Sequence, residues 1–285
     1  MLRSPHIRFI ATCDVALMAT GSLMRTFYAV LVNALAALLS NSFIWFAVTF
    51  WVFLETRSVI ATSVMAGIYT GAGALSGVFL GSLVDRFPKR SVMLASSGGS
   101  LLIYLAAGAI YALAPAEALR DVGSPLLWLF IVLILLGALA GNLRSIVLST
   151  LVAILVPEDR RDRANGMVGT ANGIAFLIAS VFSGLAVGFL GIGWVMILGV
   201  AMSALVVAHL LTIAIPERPG PRAAGGEGTG AGMVDVRGTL AAIRQVPGLL
   251  GLIFFQTFNN FLGGIFFALM DAYGLLLVSV QVWGA

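Results

Sequence analysis

Long apolar runs, separated by short charged or Pro/Gly-rich breaks, dominate the pattern of this sequence. A hydrocarbon core of about 30 Å is crossed by about 20 mostly apolar residues in helical form. Because lipid offers no hydrogen bonds to the backbone, each run of that length is predicted to be an α-helix. The predicted spans cover residues 27–54, 59–84, 91–114, 126–156, 167–190, 194–215 and 249–270.

The composition agrees with this pattern. Of the 285 residues, 60% are hydrophobic and 10% are charged, whereas soluble domains carry about 25% charged residues. The chain is therefore predicted to be an all-α integral membrane protein with the lipid bilayer as a partner. A single cysteine, Cys13, excludes an internal disulfide framework, and the histidines His6 and His209 form no cluster with metal-ligand spacing. No cofactor, metal site or catalytic residue is predicted.

Basic residues alternate between crowded and sparse connections. The connections after spans one and three hold only Arg57 and Arg120. The positive-inside rule therefore predicts that the N-terminus and the crowded connections are cytoplasmic, in a multi-pass protein of the plasma membrane. The net charge of +4 is thus interpreted as a topology signal, and nucleic acid is not an expected partner. The crowded connections contain Arg86, Lys89 and Arg90; Arg160, Arg161 and Arg163; and Arg218, Arg222, Arg237 and Arg244.

Two segments outside the spans divide the chain. Residues 1–23 are predicted to be an N-terminal extension and a candidate mis-assigned start, because their moderately apolar part, Phe9 to Met24, is only about 16 residues long and contains Asp14. Residues 216–248 are Pro/Gly-rich and end in an amphipathic segment, as expected for a cytoplasmic linker. The linker separates a six-span unit, 24–215, from a one-span unit, 249–285.

The segment "GSLVDRFPKR" concentrates charge directly after span two. Gly73, Gly77 and Gly81 recur every fourth residue before it, on one helix face, which predicts close approach of another helix. Asp85 follows at the membrane boundary, before three bases. A loop that only sets topology would explain the bases, but the glycines that lead into Asp85 favour a functional motif.

This segment resembles the loop between the second and third helices of major facilitator superfamily transporters. The matching residues are Gly81, Asp85, Arg86, Lys89 and Arg90, with Pro88 where the family usually has glycine and Lys89 where it usually has arginine. The segments "NSFIWFAVTFWVFLETRSV", "VPEDRRDRANG" and "FNNFLGG" are similar to a bacterial drug-exporter-like subgroup related to macrolide efflux proteins. The resemblance runs from about Met24 to Ala285.

The resemblance implies a six-helix N-terminal repeat of a major-facilitator fold plus the first helix of the second repeat. It implies a secondary transporter that exports an amphipathic small molecule or drug by alternating access, with protons as the coupling ion. On this basis the chain is expected to be a fragment that is inactive alone. The conformational-switch motif implied by the resemblance comprises Gly77, Gly81, Asp85, Arg86, Lys89 and Arg90.

Polar residues within the spans are the candidate site. In the family, spans one and seven are equivalent and line the central cavity, which predicts a set of substrate-contact residues. This set is Asn33, Asn41 and Trp45 in span one with Gln256, Asn259 and Asn260 in span seven. Interhelical hydrogen bonding is the alternative, favoured for any single residue but not for the set.

The candidate coupling residues are Arg144, Glu55 and Asp271. Arg144 lies deep in span four and either serves coupling or is structural, by reaching the cytoplasmic face or pairing with a loop acid such as Asp85. Glu55 and Asp271 are expected at the outer ends of spans one and seven.

Two other classes of function compete with transport. A non-transporting membrane scaffold, or a subunit that needs a partner, is the alternative function. A membrane-embedded enzyme has the least support, since neither His-Glu-x-x-His nor Gly-x-Ser-x-Gly occurs.

Overall fold

The structure is a computed structural model that describes residues 5–215 and 243–284, with side chains from residue 23 onward except at 75–79, 82, 85, 267 and 268. Within these ranges the chain is helical and has no strand, so the predicted all-α class is confirmed. The α-helices are α1 (Pro5–Thr56), α2 (Val59–Arg86), α3 (Lys89–Leu113), α4 (Pro125–Leu155), α5 (Arg161–Leu190), α6 (Ile192–Thr212), α7 (Leu249–Leu277) and α8 (Val280–Gly284). Short 3-10 helices cover Ala116–Leu119 and Glu158–Arg160.

Six helices of the described chain are long and apolar enough to cross a membrane, and α2 adds the apolar segment Val59–Ala74. The backbone of α1 is helical from Pro5, within the predicted extension, although its membrane-length part is Leu23–Thr56. Helix α7 extends seven residues beyond the predicted limit of 270. Most of the predicted linker, residues 216–242, lies outside the described residues.

The turns between helices follow ordinary capping chemistry. Ser58 accepts a hydrogen bond from the backbone N–H of Ala61 at the start of α2, at 3.1 Å. Ser124 does the same for Leu126 at the start of α4, at 3.3 Å. Gly191 joins α5 to α6 with a φ of +78°, a left-handed conformation that a side chain would strain.

Basic side chains cap the helix ends that face the predicted cytoplasmic loops. Lys89 donates to the backbone carbonyl of Val84, near the end of α2. Arg90 donates to the carbonyl of Leu211 in the last turn of α6, at 3.2 Å. Arg161 donates to the carbonyl of Ala153 in the last turn of α4, at 2.9 Å. Cations are favourable there because the last carbonyls of a helix lack partners and carry partial negative charge.

Helix α1 occupies the centre of the bundle. It packs against α2, α4, α5, α6 and α7, while α3 packs on α4 and α6. Its aromatic residues are mostly buried in the core. The Trp51 ring, for example, meets Phe130 edge-on with ring centroids 5.6 Å apart. The central position of α1 leaves one side of it facing the cavity described below.

Candidate functional site

A cavity of about 990 Å³ lies among α1, α2, α4, α5 and α7. Its walls combine four aromatic side chains, Trp45, Phe46, Tyr69 and Phe176, with six amides, Asn41, Asn142, Asn165, Asn172, Asn259 and Asn260. Two charged residues, Arg144 and Asp271, also line it. Apolar walls with a few polar groups are typical of a small-molecule site.

The cavity brings together most of the predicted site residues. Asn41, Trp45, Asn259, Asn260, Arg144 and Asp271 line it, whereas Asn33, Gln256 and Glu55 do not. Gln256 is exposed on α7, where its amide lies 3.4 Å from the Oδ1 of Asn260. Substrate contact at the lining residues stays a prediction.

Sequence reasoning missed the contribution of α5. Asn165, Val168, Asn172 and Phe176 all line the cavity. Their spacing of three and four residues places them on one helix face. The two asparagines, seven residues apart in an apolar span, are the sequence signal that indicates this face, whereas the family resemblance indicates only spans one and seven.

Arg144 is almost fully buried, with 4% of its surface exposed. Its Nη1 donates to the backbone carbonyl of Asn33, at 3.3 Å, and to the Asn33 side-chain oxygen. Asn33 in turn donates through Nδ2 to the carbonyl of Val206, at 2.9 Å. Arg144 thus ties α4 to α1 directly, and to α6 through Asn33. No acid of the described side chains forms a salt bridge with it, and the Asp85 side chain is outside that set.

Asn41 is held in place by α3 and α4. The hydroxyl of Tyr104 donates to its Oδ1, at 2.8 Å. The Tyr104 ring is fully buried and lies directly against Gly137 of α4, where an added Cβ would come within 2.4 Å of a ring carbon. The cavity position of Asn41 therefore depends on the absence of a side chain at residue 137.

Gly137→Ala is expected to destabilise the protein by about 1–3 kcal/mol, because the buried Tyr104 ring must move and release Asn41. The unfolding temperature of the variant in detergent measures this loss of stability. Gly98→Ala, on the same helix as Tyr104, is the control because its Cβ would meet no atom within 4 Å. Equal unfolding temperatures for the two variants would contradict the tight contact at Gly137.

The predicted close approach along the α2 glycines is wrong at Gly73 and Gly81. A Cβ at Gly73 or Gly81 would meet no atom within 4 Å. The surroundings of Gly77 and the side chain of Asp85 lie outside the described residues. The spacing of glycines shows which residues share a face, but not what lies opposite that face.

Close glycine contact occurs instead where α8 crosses α5. A Cβ at Gly184 would lie 2.6 Å from the backbone oxygen of Val280, and one at Gly188 would lie 2.3 Å from the Gln281 side chain. These two glycines, four residues apart, let α8 lie directly on the α5 backbone.

Glu55 lies at the end of α1 and forms a salt bridge with Arg120, 2.7 Å from Oε2 to Nε. Both side chains are partly exposed, at 30% and 60% respectively. The pair joins the end of α1 to the loop after α3 and is separate from the cavity lining. As an exposed pair it is expected to contribute no more than about 1 kcal/mol to stability.

Asp271 lies within α7, six residues before its last residue, and not at the end of the span as predicted. It lines the cavity and accepts a hydrogen bond from the Nε1 of Trp283, at 3.1 Å. The prediction was wrong because a charged residue was taken as the end of an apolar run. The helix continues past it because the carboxylate has the cavity on one side and an indole donor on the other.

Comparison with known proteins identifies the family of this chain. A search of curated proteins gave no match to this chain. The sequence model described as Major Facilitator Superfamily matches residues 29–285, which begin within α1 and include every later helix. The match covers most of the chain, and the helical membrane-protein fold agrees with it. The chain therefore belongs to the major facilitator superfamily.

Proposed function

We propose that this major facilitator transporter exports an amphipathic small molecule by alternating access. The observation that carries the proposal is the cavity, whose volume of about 990 Å³ suits a drug-sized molecule. The similarity of three sequence segments to drug exporters related to macrolide efflux supports the direction of transport.

The chemistry of the cavity walls supports an amphipathic substrate. The rings of Trp45 and Tyr69 are in contact, with centroids 4.5 Å apart and planes tilted by 33°, and offer an apolar surface on which a flat substrate can pack. The asparagines on α1, α4, α5 and α7 provide both donors and acceptors. Substrate contact is proposed for Asn41, Trp45, Asn259 and Asn260, together with Asn165 and Asn172.

Protons are the proposed coupling ion, and Asp271 is the proposed coupling residue. It is the acid among the described residues that line the cavity. Glu55 is less suitable because it is paired with Arg120 away from the cavity. Arg144 is less suitable because a guanidinium does not release its proton in proteins.

Reconstitution tests the proposal directly. The polypeptide encoded by the complete gene is placed in liposomes with an imposed pH gradient. The movement of amphipathic dyes and antibiotics across the liposome membrane is then followed. Transport that depends on the substrate and stops on addition of an uncoupler supports the proposal. Substrate movement that is unchanged by the uncoupler would reject proton coupling, and no movement of any amphipathic compound would reject export of this class.

The segment from Gly81 to Arg90, which joins α2 to α3, is proposed to bias the equilibrium between inward-facing and outward-facing states. Its bases Lys89 and Arg90 already bond to the ends of two helices, which supports a role in holding those ends together. The proposed orientation places this segment and the N-terminus in the cytoplasm, with the protein in the plasma membrane.

Asp85→Asn is expected to lower the initial transport rate several-fold with little change in the amount of folded protein, because the proposed role is to shift a conformational equilibrium. Rates and abundance are measured on the same membranes. Asp159→Asn is the control, since Asp159 is an exposed acid in the loop after α4. Unchanged transport by Asp85→Asn would leave the segment from Gly81 to Arg90 with a topological role alone.

A further inference from the structure

The segment after α7 folds back onto the cavity acid. Helix α8 follows a turn at residues 278–279, and the Nε1 of Trp283 donates to the Oδ1 of Asp271 at 3.1 Å. The indole ring lies against Gly274, one helical turn after Asp271. A Cβ at Gly274 would come within 2.2 Å of two ring carbons, so the indole reaches the acid only because residue 274 has no side chain.

The surroundings of this hydrogen bond are apolar on one side and open to the cavity on the other. Ala272, Leu275 and Val280 are buried in the core beside it. Among the described residues Asp271 has no salt bridge, and the other ionisable side chains that line the cavity are Tyr69 and Arg144. The donor that faces the carboxylate is therefore a neutral N–H.

A neutral donor has a specific effect on a carboxylate. It stabilises the ionised form without cancelling the charge, so the group is oriented but stays able to bind a proton. Indole has no acceptor, so the nitrogen can only donate. A lysine or arginine in the same place would instead hold the carboxylate in a permanent ion pair.

We propose that Trp283 is a positioning residue that orients the Asp271 carboxylate at the cavity wall and favours its ionised form, with Gly274 as the residue that admits the indole. This inference rests on the proposed function, in which Asp271 binds the coupled proton. It assigns a role in coupling to α8, a segment that does not line the cavity.

The test uses dicyclohexylcarbodiimide, which reacts with protonated carboxyl groups in apolar surroundings. The protein in membranes is treated at a fixed pH near neutral, and labelling of Asp271 is measured by mass spectrometry of its peptide. Trp283→Phe keeps an aromatic ring over Gly274 but removes the donor. Gly274→Ala keeps both polar groups but displaces the ring. Gly251→Ala, also on α7, is the control because its Cβ would meet no atom within 4 Å.

Loss of the hydrogen bond is expected to raise the labelling of Asp271 by roughly tenfold in Trp283→Phe and in Gly274→Ala. Labelling in Gly251→Ala is expected to equal that of the wild type, and Asp271→Asn is expected to show none at this position. Wild-type labelling in both Trp283→Phe and Gly274→Ala would overturn the proposal. A change in Trp283→Phe alone would overturn the role of Gly274.

The same preparations separate this inference from the proposed function. Raised labelling in the two variants, with no transport by the wild-type protein in liposomes, would support the positioning role and reject export. Transport by the wild type with unchanged labelling in the variants would support export and reject the positioning role.

Discussion

Asp271→Asn is expected to reduce proton-driven transport to the level of protein-free vesicles, while the amount of folded protein stays near that of the wild type. Asparagine has nearly the same shape as aspartate and can still accept the Trp283 hydrogen bond, but it cannot bind and release a proton. The measurement is the initial rate of substrate accumulation in liposomes with an imposed pH gradient.

Glu55→Gln is the matched control for this result. It also neutralises one acid, but at an exposed ion pair away from the cavity. Its transport is expected to remain close to wild type, with a stability change of at most about 1 kcal/mol. Equal losses in the two variants, or full accumulation by Asp271→Asn, would remove Asp271 from the coupling mechanism.

Asn33→Leu is expected to lower the free energy of unfolding by about 3 kcal/mol, because it leaves the buried Arg144 guanidinium without its side-chain acceptor. Arg144→Met removes the charge itself and is expected to cost less. Thermal or denaturant unfolding in detergent of the wild type, the two single variants and the double variant gives the four values needed for a double-mutant cycle.

The cycle is what makes this prediction specific. The double variant Asn33→Leu, Arg144→Met has no buried charge to leave unpaired, so it is expected to be more stable than Asn33→Leu alone. Strictly additive losses would mean that the two residues stabilise the bundle independently. Such additivity would also contradict the hydrogen bonds that join α1 and α4.

Much of the fold could be predicted because lipid imposes simple rules on the backbone. The length of an apolar run and the need to bond every peptide group locate the membrane-length part of most helices within a few residues, although the backbone helix of α1 begins earlier, at Pro5. The end of α7 could not be found in this way, since Asp271 interrupts the apolar pattern while its partner Trp283 comes from a later segment. A contact between segments is not visible in the pattern of either one.

The candidate site was predicted only in part for a related reason. Asn33 and Asn41 are eight residues apart, which is about 80° around a helix axis, so they face different neighbours. Asn41 meets the cavity, whereas Asn33 meets α4 and α6. The sequence shows that both asparagines lie in the span, but the rotation of α1 in the bundle decides which one a substrate can reach.

The basic caps described at the helix ends have a mechanical consequence. Lys89 and Arg90 are adjacent in the first turn of α3, yet one holds the end of α2 and the other holds the end of α6. The end of α2, the start of α3 and the end of α6 are therefore joined by hydrogen bonds at a single point. A force on any one of them is transmitted to the other two, so this face of the bundle is expected to tilt as one rigid body rather than bend helix by helix.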